Sequence, residues 1–87
     1  MKSITVKIID PIGIHARPAS VIANTSNKFQ SSVSFKNGDK TANAKSVINL
    51  MALSAKSGSS IEVIVEGADE QEAIDAVKAA MESEKLI

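Results

Sequence analysis

Histidine occurs once in this sequence, at position 15, inside the run Gly13-Ile14-His15-Ala16-Arg17-Pro18-Ala19. A neutral imidazole is a nucleophile near neutral pH, and an arginine two residues on can grip phosphoryl oxygens with paired hydrogen bonds. Pro18 marks the first turn of a helix, where its missing N–H costs nothing. His15 therefore stands where a loop becomes a helix, beside the backbone N–H groups of Ala16 and Arg17, which lack intrahelical acceptors. Unpaired N–H groups and the positive end of the helix dipole attract an anion. The same positive field favours the neutral ring, so one arrangement makes His15 nucleophilic and then stabilises an anionic product. Taken singly, each residue is ordinary: a histidine ahead of a helix is most often a cap or a surface residue, and an arginine a solvated side chain. The information lies in the combination.

Other chemistries are poorly served. There is no cysteine and only one histidine, which removes disulfides, thiolate metal sites and His-rich zinc sites, and no cofactor is expected. One histidine and one arginine, without an adjacent carboxylate base, make a weak independent active site, so a carrier is expected rather than an enzyme. Ten basic and ten acidic residues cancel, giving no general attraction to nucleic acid or acidic membranes. Phe29 and Phe35 are the only aromatic residues, too few for an RNA-recognition sheet of the same element order. The N-terminus lacks a signal-peptide pattern, and no segment approaches the ~20 apolar residues of a membrane helix, so a cytoplasmic protein is expected.

The elements that must position His15 follow from periodicity. Ile4, Val6 and Ile8 alternate with polar residues as a half-buried strand, which Asp10-Pro11-Ile12-Gly13 ends with a turn. A helix follows from Ala16 to about Lys28, burying Ala19, Ile22, Ala23 and Ser26. Val33 and Phe35 lie on a second strand, Asn37-Gly38 forms a hairpin turn, and residues 40–43 return. Ser46 caps a short helix, Ile61, Val63 and Val65 form the last strand, and Asp69 with Glu72 opens the final helix as a capping box. Ala73, Ile74, Val77 and Met81 supply that helix's buried stripe. The order β-α-β-β-α-β-α predicts an α+β fold: an open-faced two-layer sandwich with a four-stranded, mostly antiparallel sheet and three helices on one face. All 87 residues fit a single domain.

Helical geometry also predicts a docking surface. Leu50 and Leu53 share one side of the short helix, leaving Ile48 and Met51 outward, with Val47 beside them. On the first helix Ser20, Val21 and Asn24 lie outward with Arg17. Apolar surface rimmed by polar groups suits transient association, and methionine repacks easily against different partners.

The His15 segment, Lys45-Ser46-Val47 and Glu66-Gly67-Ala68-Asp69 together resemble the HPr family, the histidine-containing phosphocarriers of the bacterial phosphoenolpyruvate-dependent sugar phosphotransferase system. The resemblance spans essentially the whole chain. It implies that His15 takes a phosphoryl group on Nδ1 from Enzyme I and passes it to sugar-specific Enzyme IIA components, with Arg17 stabilising the group. It implies that Ser46 is a regulatory phosphorylation site, with HPr kinase/phosphorylase and a catabolite-control transcription factor as further partners. A cytoplasmic monomer follows from the same resemblance. The runner-up is a nitrogen-related paralogue with the same chemistry and other partners. One departure lies beside the site: many relatives have Asn or Ser where this chain has Ile12, whose side chain cannot hydrogen-bond the ring or the phosphoryl group.

Overall fold

The computed structural model describes residues 1–87 as β1 (Lys2–Lys7), α1 (Ala16–Ser26), β2 (Ser32–Asn37), β3 (Lys40–Asn43), α2 (Val47–Ala52), β4 (Ser60–Glu66) and α3 (Glu70–Ser83). Alternation builds the sheet. Ile61, Val63 and Val65 of β4, Val33 and Phe35 of β2, and Ala42 of β3 are buried on one face, with Ile4 and Val6 of β1 half-buried among them. Thr5, Lys7, Ser32, Lys36 and Thr41 are exposed. The strands lie in the order β1-β4-β2-β3, and every pair is antiparallel. Val63 of β4 stands opposite Ile4 on one side and Phe35 on the other, so β4 carries the centre of the sheet. This is the α+β open-faced sandwich that the sequence predicts.

The helices cover the apolar face. α3 buries Ala73, Ile74, Val77 and Met81 over β4, while α1 buries Pro18, Ala19, Ile22, Ala23 and Ser26 and packs against both α2 and α3. Leu50 and Leu53 are buried, and Ile48 and Met51 are 80% and 45% exposed, as the rotation of α2 requires. α1 stops at Ser26 rather than near Lys28. Asn27 ends it, its N–H and its Nδ2 both reaching the Ala23 carbonyl at 2.9 and 2.8 Å. The Asn27 Nδ2 also donates to the Lys45 carbonyl at 3.0 Å, and Lys45 Nζ donates to the Phe29 carbonyl at 3.0 Å. These bonds tie the approach to α2 to the end of α1.

The start of α3 differs from expectation. Asp69 and Glu72 form no capping box, because the Asp69 side chain makes no bond to its own helix. It turns instead to the α1–β2 connection, accepting from the Gln30 and Ser31 N–H groups at 2.9 Å each and from the Ser31 hydroxyl. Glu70, not Glu72, reaches back to the Gly67 N–H at 3.3 Å. Gly67 is pressed so closely on Ser31 that a Cβ there would lie 2.6 Å from the Ser31 Cα, which is why a glycine precedes this junction.

The Ser31 hydroxyl and the Gln30 N–H hold the Asp69 carboxyl below the usual carboxylate range. A depressed folded-state value stabilises the fold above the unfolded carboxylate range near pH 4, and that contribution disappears as pH falls through the lower folded value. Asp69→Asn should therefore be less stable than the parent in urea at pH 7, with the difference shrinking as pH drops below about 4. A pH-independent difference between the two unfolding curves would mean that the carboxylate charge is irrelevant.

Candidate functional site

His15 is the residue immediately before α1, in extended conformation, and its carbonyl accepts the Ala19 N–H at 3.0 Å. Its side chain makes no capping bond, so the ring is free of helix duty and 36% exposed. The Ala16 and Arg17 N–H groups take part in none of the chain's hydrogen bonds, and Pro18 contributes none. The helix thus presents unpaired donors and its positive dipole end beside the imidazole.

The preceding turn fixes the ring's position. Asp10 accepts the Ile12 N–H on Oδ1 at 2.8 Å and the Gly13 N–H on its carbonyl at 3.0 Å. Gly13 has φ +85°, and a Cβ there would lie 2.1 Å from the Ala55 carbonyl oxygen. That same oxygen accepts the Ile14 N–H at 3.1 Å. Ile12, held at the tip of the turn, is 71% exposed and does not line the cleft beside His15.

A carboxylate does lie beside the histidine, contrary to expectation. Asp10 Oδ2 is 3.7 Å from His15 Nε2, too long for a hydrogen bond. The sequence treats Asp10 only as a turn former; its second oxygen becomes relevant once the turn folds back on the ring.

The other wall of the site is the end of α3, which sequence reading did not assign to it. A cleft of about 280 Å³ has Asp10, His15, Arg17 and Pro18 on one side and Glu84 and Lys85 on the other. Arg17 Nε lies 3.5 Å from Glu84 Oε1, with the arginine side chain 83% exposed. α3 ends in a Schellman turn: Lys85 N–H donates to the Glu82 carbonyl at 3.0 Å and Leu86 N–H to the Met81 carbonyl at 2.9 Å. Leu86 is buried, and its carbonyl accepts the Ile9 N–H at 2.8 Å, which anchors the end of α3 beside the turn.

Ser46 caps α2. Its Oγ accepts from Asn49 N at 3.2 Å and from Asn49 Nδ2 at 2.9 Å, and the residue is half-exposed. Of the candidate docking residues, Asn24, Ile48 and Met51 are exposed, whereas Ser20, Val21 and Val47 are half-buried. Val47 packs partly on the core and offers less surface than Ile48.

The site is thus a single, partly exposed histidine at a helix N-terminus on a small antiparallel sandwich. Comparison with known proteins gives the family. The model described as PTS HPr component phosphorylation site matches residues 2–83. The phosphocarrier protein HPr of Mycoplasma pneumoniae is 47% identical over 88 residues, covering 100% of both chains. A solved histidine-containing phosphocarrier protein of Mycoplasma superposes with a TM-score of 0.97 at 38% identity, covering 99% of this chain and 98% of the other. The Bacillus subtilis catabolite-repression protein Crh, solved as a domain-swapped dimer, aligns at 33% identity with a TM-score of 0.75, covering 100% and 99%. The chain belongs to the HPr family of the phosphotransferase system.

The contact of Gly13 on Ala55 yields a test of how the site is held. Gly13→Ala should lose at least about 2 kcal/mol of stability, from the positive φ and the clash with a backbone oxygen. Urea unfolding measures it; a loss below about 0.5 kcal/mol would show that the turn yields freely.

Proposed function

We propose that His15 accepts a phosphoryl group from phosphorylated Enzyme I and passes it to sugar-specific Enzyme IIA components, in the cytoplasm and as a monomer. The observation that carries this reading is the exposed His15 ring next to the unpaired Ala16 and Arg17 N–H groups. With its proton on Nε2 facing Asp10, the ring attacks phosphorus with the Nδ1 lone pair. The bond from phosphorus to the donor atom breaks, and its electron pair leaves on the donor. The product carries phosphoryl charge where the helix end and Arg17 favour it.

Arg17 leaves Glu84 for the phosphoryl oxygens at little cost, since an exposed pair at 3.5 Å contributes under about 1 kcal/mol. Transfer onward is possible for the same reason: no element of the site holds the group by a deeply buried charge. The partner enzymes supply the other half of each reaction, so the protein acts as a carrier and not as a catalyst in its own right. Docking falls on the surface around His15 that includes Ile48 and Met51, with Ser20, Val21, Asn24 and Val47 at its edges.

His15→Ala should abolish labelling from phosphoenolpyruvate and Enzyme I while leaving the fold intact, because no other histidine exists. The parent should carry an acid-labile, base-stable phosphoryl group, and Enzyme I-dependent labelling of the mutant would sink the carrier reading. Arg17→Ala should slow transfer by roughly 10–150-fold, the value of one charge-assisted contact made in the transition state. An unchanged rate would reduce Arg17 to a solvated side chain.

The same reading assigns regulation to Ser46, through HPr kinase/phosphorylase and a catabolite-control transcription factor. A phosphate there adds a charge of about −1.5 to −2 beside Ile48 and Met51, and it must lose water when Enzyme I covers it. Helix α2 tolerates the charge at its N-terminus. Phosphorylation at Ser46 should therefore slow Enzyme I-dependent transfer to His15 without lowering the melting temperature. Equal transfer rates would leave Ser46 a capping residue, and a collapsed melting temperature would mean that the effect is loss of structure.

A further inference from the structure

Lys85 occupies a place where its residue type is a cost. Its φ is +57°, the left-handed region that ends a Schellman turn, which glycine adopts freely and a residue with a Cβ does not. Only Ser54 shares a positive φ among the non-glycine residues. Strain of this kind concentrates at functional sites, and Lys85 borders the His15 cleft. Its ammonium has no carboxylate within ion-pair distance; the chain's three ion pairs involve Met1, His15 and Arg17 as the cations.

The charges that face the cleft make a second point. Asp10 and Glu84 bring two negative charges, Arg17 and Lys85 two positive ones, and the ring can add one more when protonated. Arg17 is already paired with Glu84, and Asp10 lies against the His15 ring and not within ion-pair distance of Lys85. A phosphoryl group of charge near −2 then enters a cleft whose only unmatched cation is Lys85.

We propose that Lys85 is a second phosphoryl-binding side chain, its ammonium reaching across the cleft to the group carried on His15. This rests on His15 being the phosphoryl acceptor. Lys85 gives up no proton and forms no covalent bond; it offsets charge that Arg17, shared with Glu84, offsets only in part. The flexible lysine stem suits a group that arrives and departs, because the ammonium can swing to solvent when the cleft is empty.

The test separates this role from the fold by using variants with opposite effects on each. Lys85→Gly relieves the left-handed strain, so its melting temperature should rise by about 4–8 °C. Lys85→Arg keeps the charge. Each protein is phosphorylated with potassium phosphoramidate, which needs no partner: the ring nitrogen bonds phosphorus, the reagent's own P–N bond breaks, and ammonia leaves. The phosphoryl ionisation is then followed by 31P NMR against pH, and transfer from Enzyme I is measured in parallel. Removing a nearby cation disfavours the dianion, so in Lys85→Gly the phosphoryl titration should move up by roughly 0.2–0.7 pH units, with transfer about two- to fivefold slower. Lys85→Arg should restore both.

A Lys85→Gly titration that coincides with the parent's would overturn the inference, even if transfer slows, since Lys85 would then be touching Enzyme I and not the phosphoryl group. A lower melting temperature for Lys85→Gly would also overturn it, by making Lys85 a support of the helix end. A parent protein that takes no label from Enzyme I, or that keeps its label after His15→Ala, would remove the carrier reading instead, an outcome distinct from either.

Discussion

One carbonyl oxygen, that of Ala55, receives the Ile14 N–H at 3.1 Å and leaves no room for a side chain at Gly13. The position of the histidine follows from that contact. With the turn seated on Ala55, residue 15 enters α1 at a fixed angle, its ring clear of the helix cap and its neighbours' N–H groups open. Ala55 is itself buried and follows α2 by way of buried Leu53 and Ser54, whose φ is +56°. The segment after α2 therefore supports the loop before α1, and the sheet supports both through Ile8, whose N–H and carbonyl bond Ser59 and Gly58 at 2.9 and 2.7 Å.

Charge in the cleft is arranged for exchange. Glu84 stands against the Arg17 guanidinium and Asp10 against the His15 ring, so on the proposed reading a phosphoryl group would compete with Glu84 for Arg17. Each contact is at least partly solvated, and a carrier is limited on both sides: too weak a hold loses the group, too strong a hold stops its transfer. The exposed Ile12 supplies no hydrogen bond at this point. On the proposed reading the anion would be held by backbone donors and by cations on flexible stems.

Much of this was legible in the chain. Period-two alternation in β2 and β4 located the sheet, and the spacing of Leu50 and Leu53 against Ile48 and Met51 separated the inner from the outer side of α2. Gly13 through Ala19 placed the histidine at the start of α1, where the structure has it. The missed features are long-range side-chain contacts that no local pattern encodes. Asp69 turned from its own helix to Ser31, and Glu84 reached Arg17, nearly seventy positions earlier. The ends of α2 and α3 lacked the usual signal because Ser54 and Lys85, not glycine, take the left-handed positions there.

The two walls of the cleft come from opposite ends of the chain, one from residues 10–18 and the other from residues 84 and 85. β1, which leads into the first wall, has β4 as its sole partner in the sheet, more than fifty residues later. On the ribosome the histidine emerges early, while the strand behind it has nothing to pair with until β4 is made. The far wall, at residues 84 and 85, arrives later still. A nascent chain therefore presents the imidazole before either β4 or the far wall of the cleft has been made, so the cleft forms by late, long-range contacts.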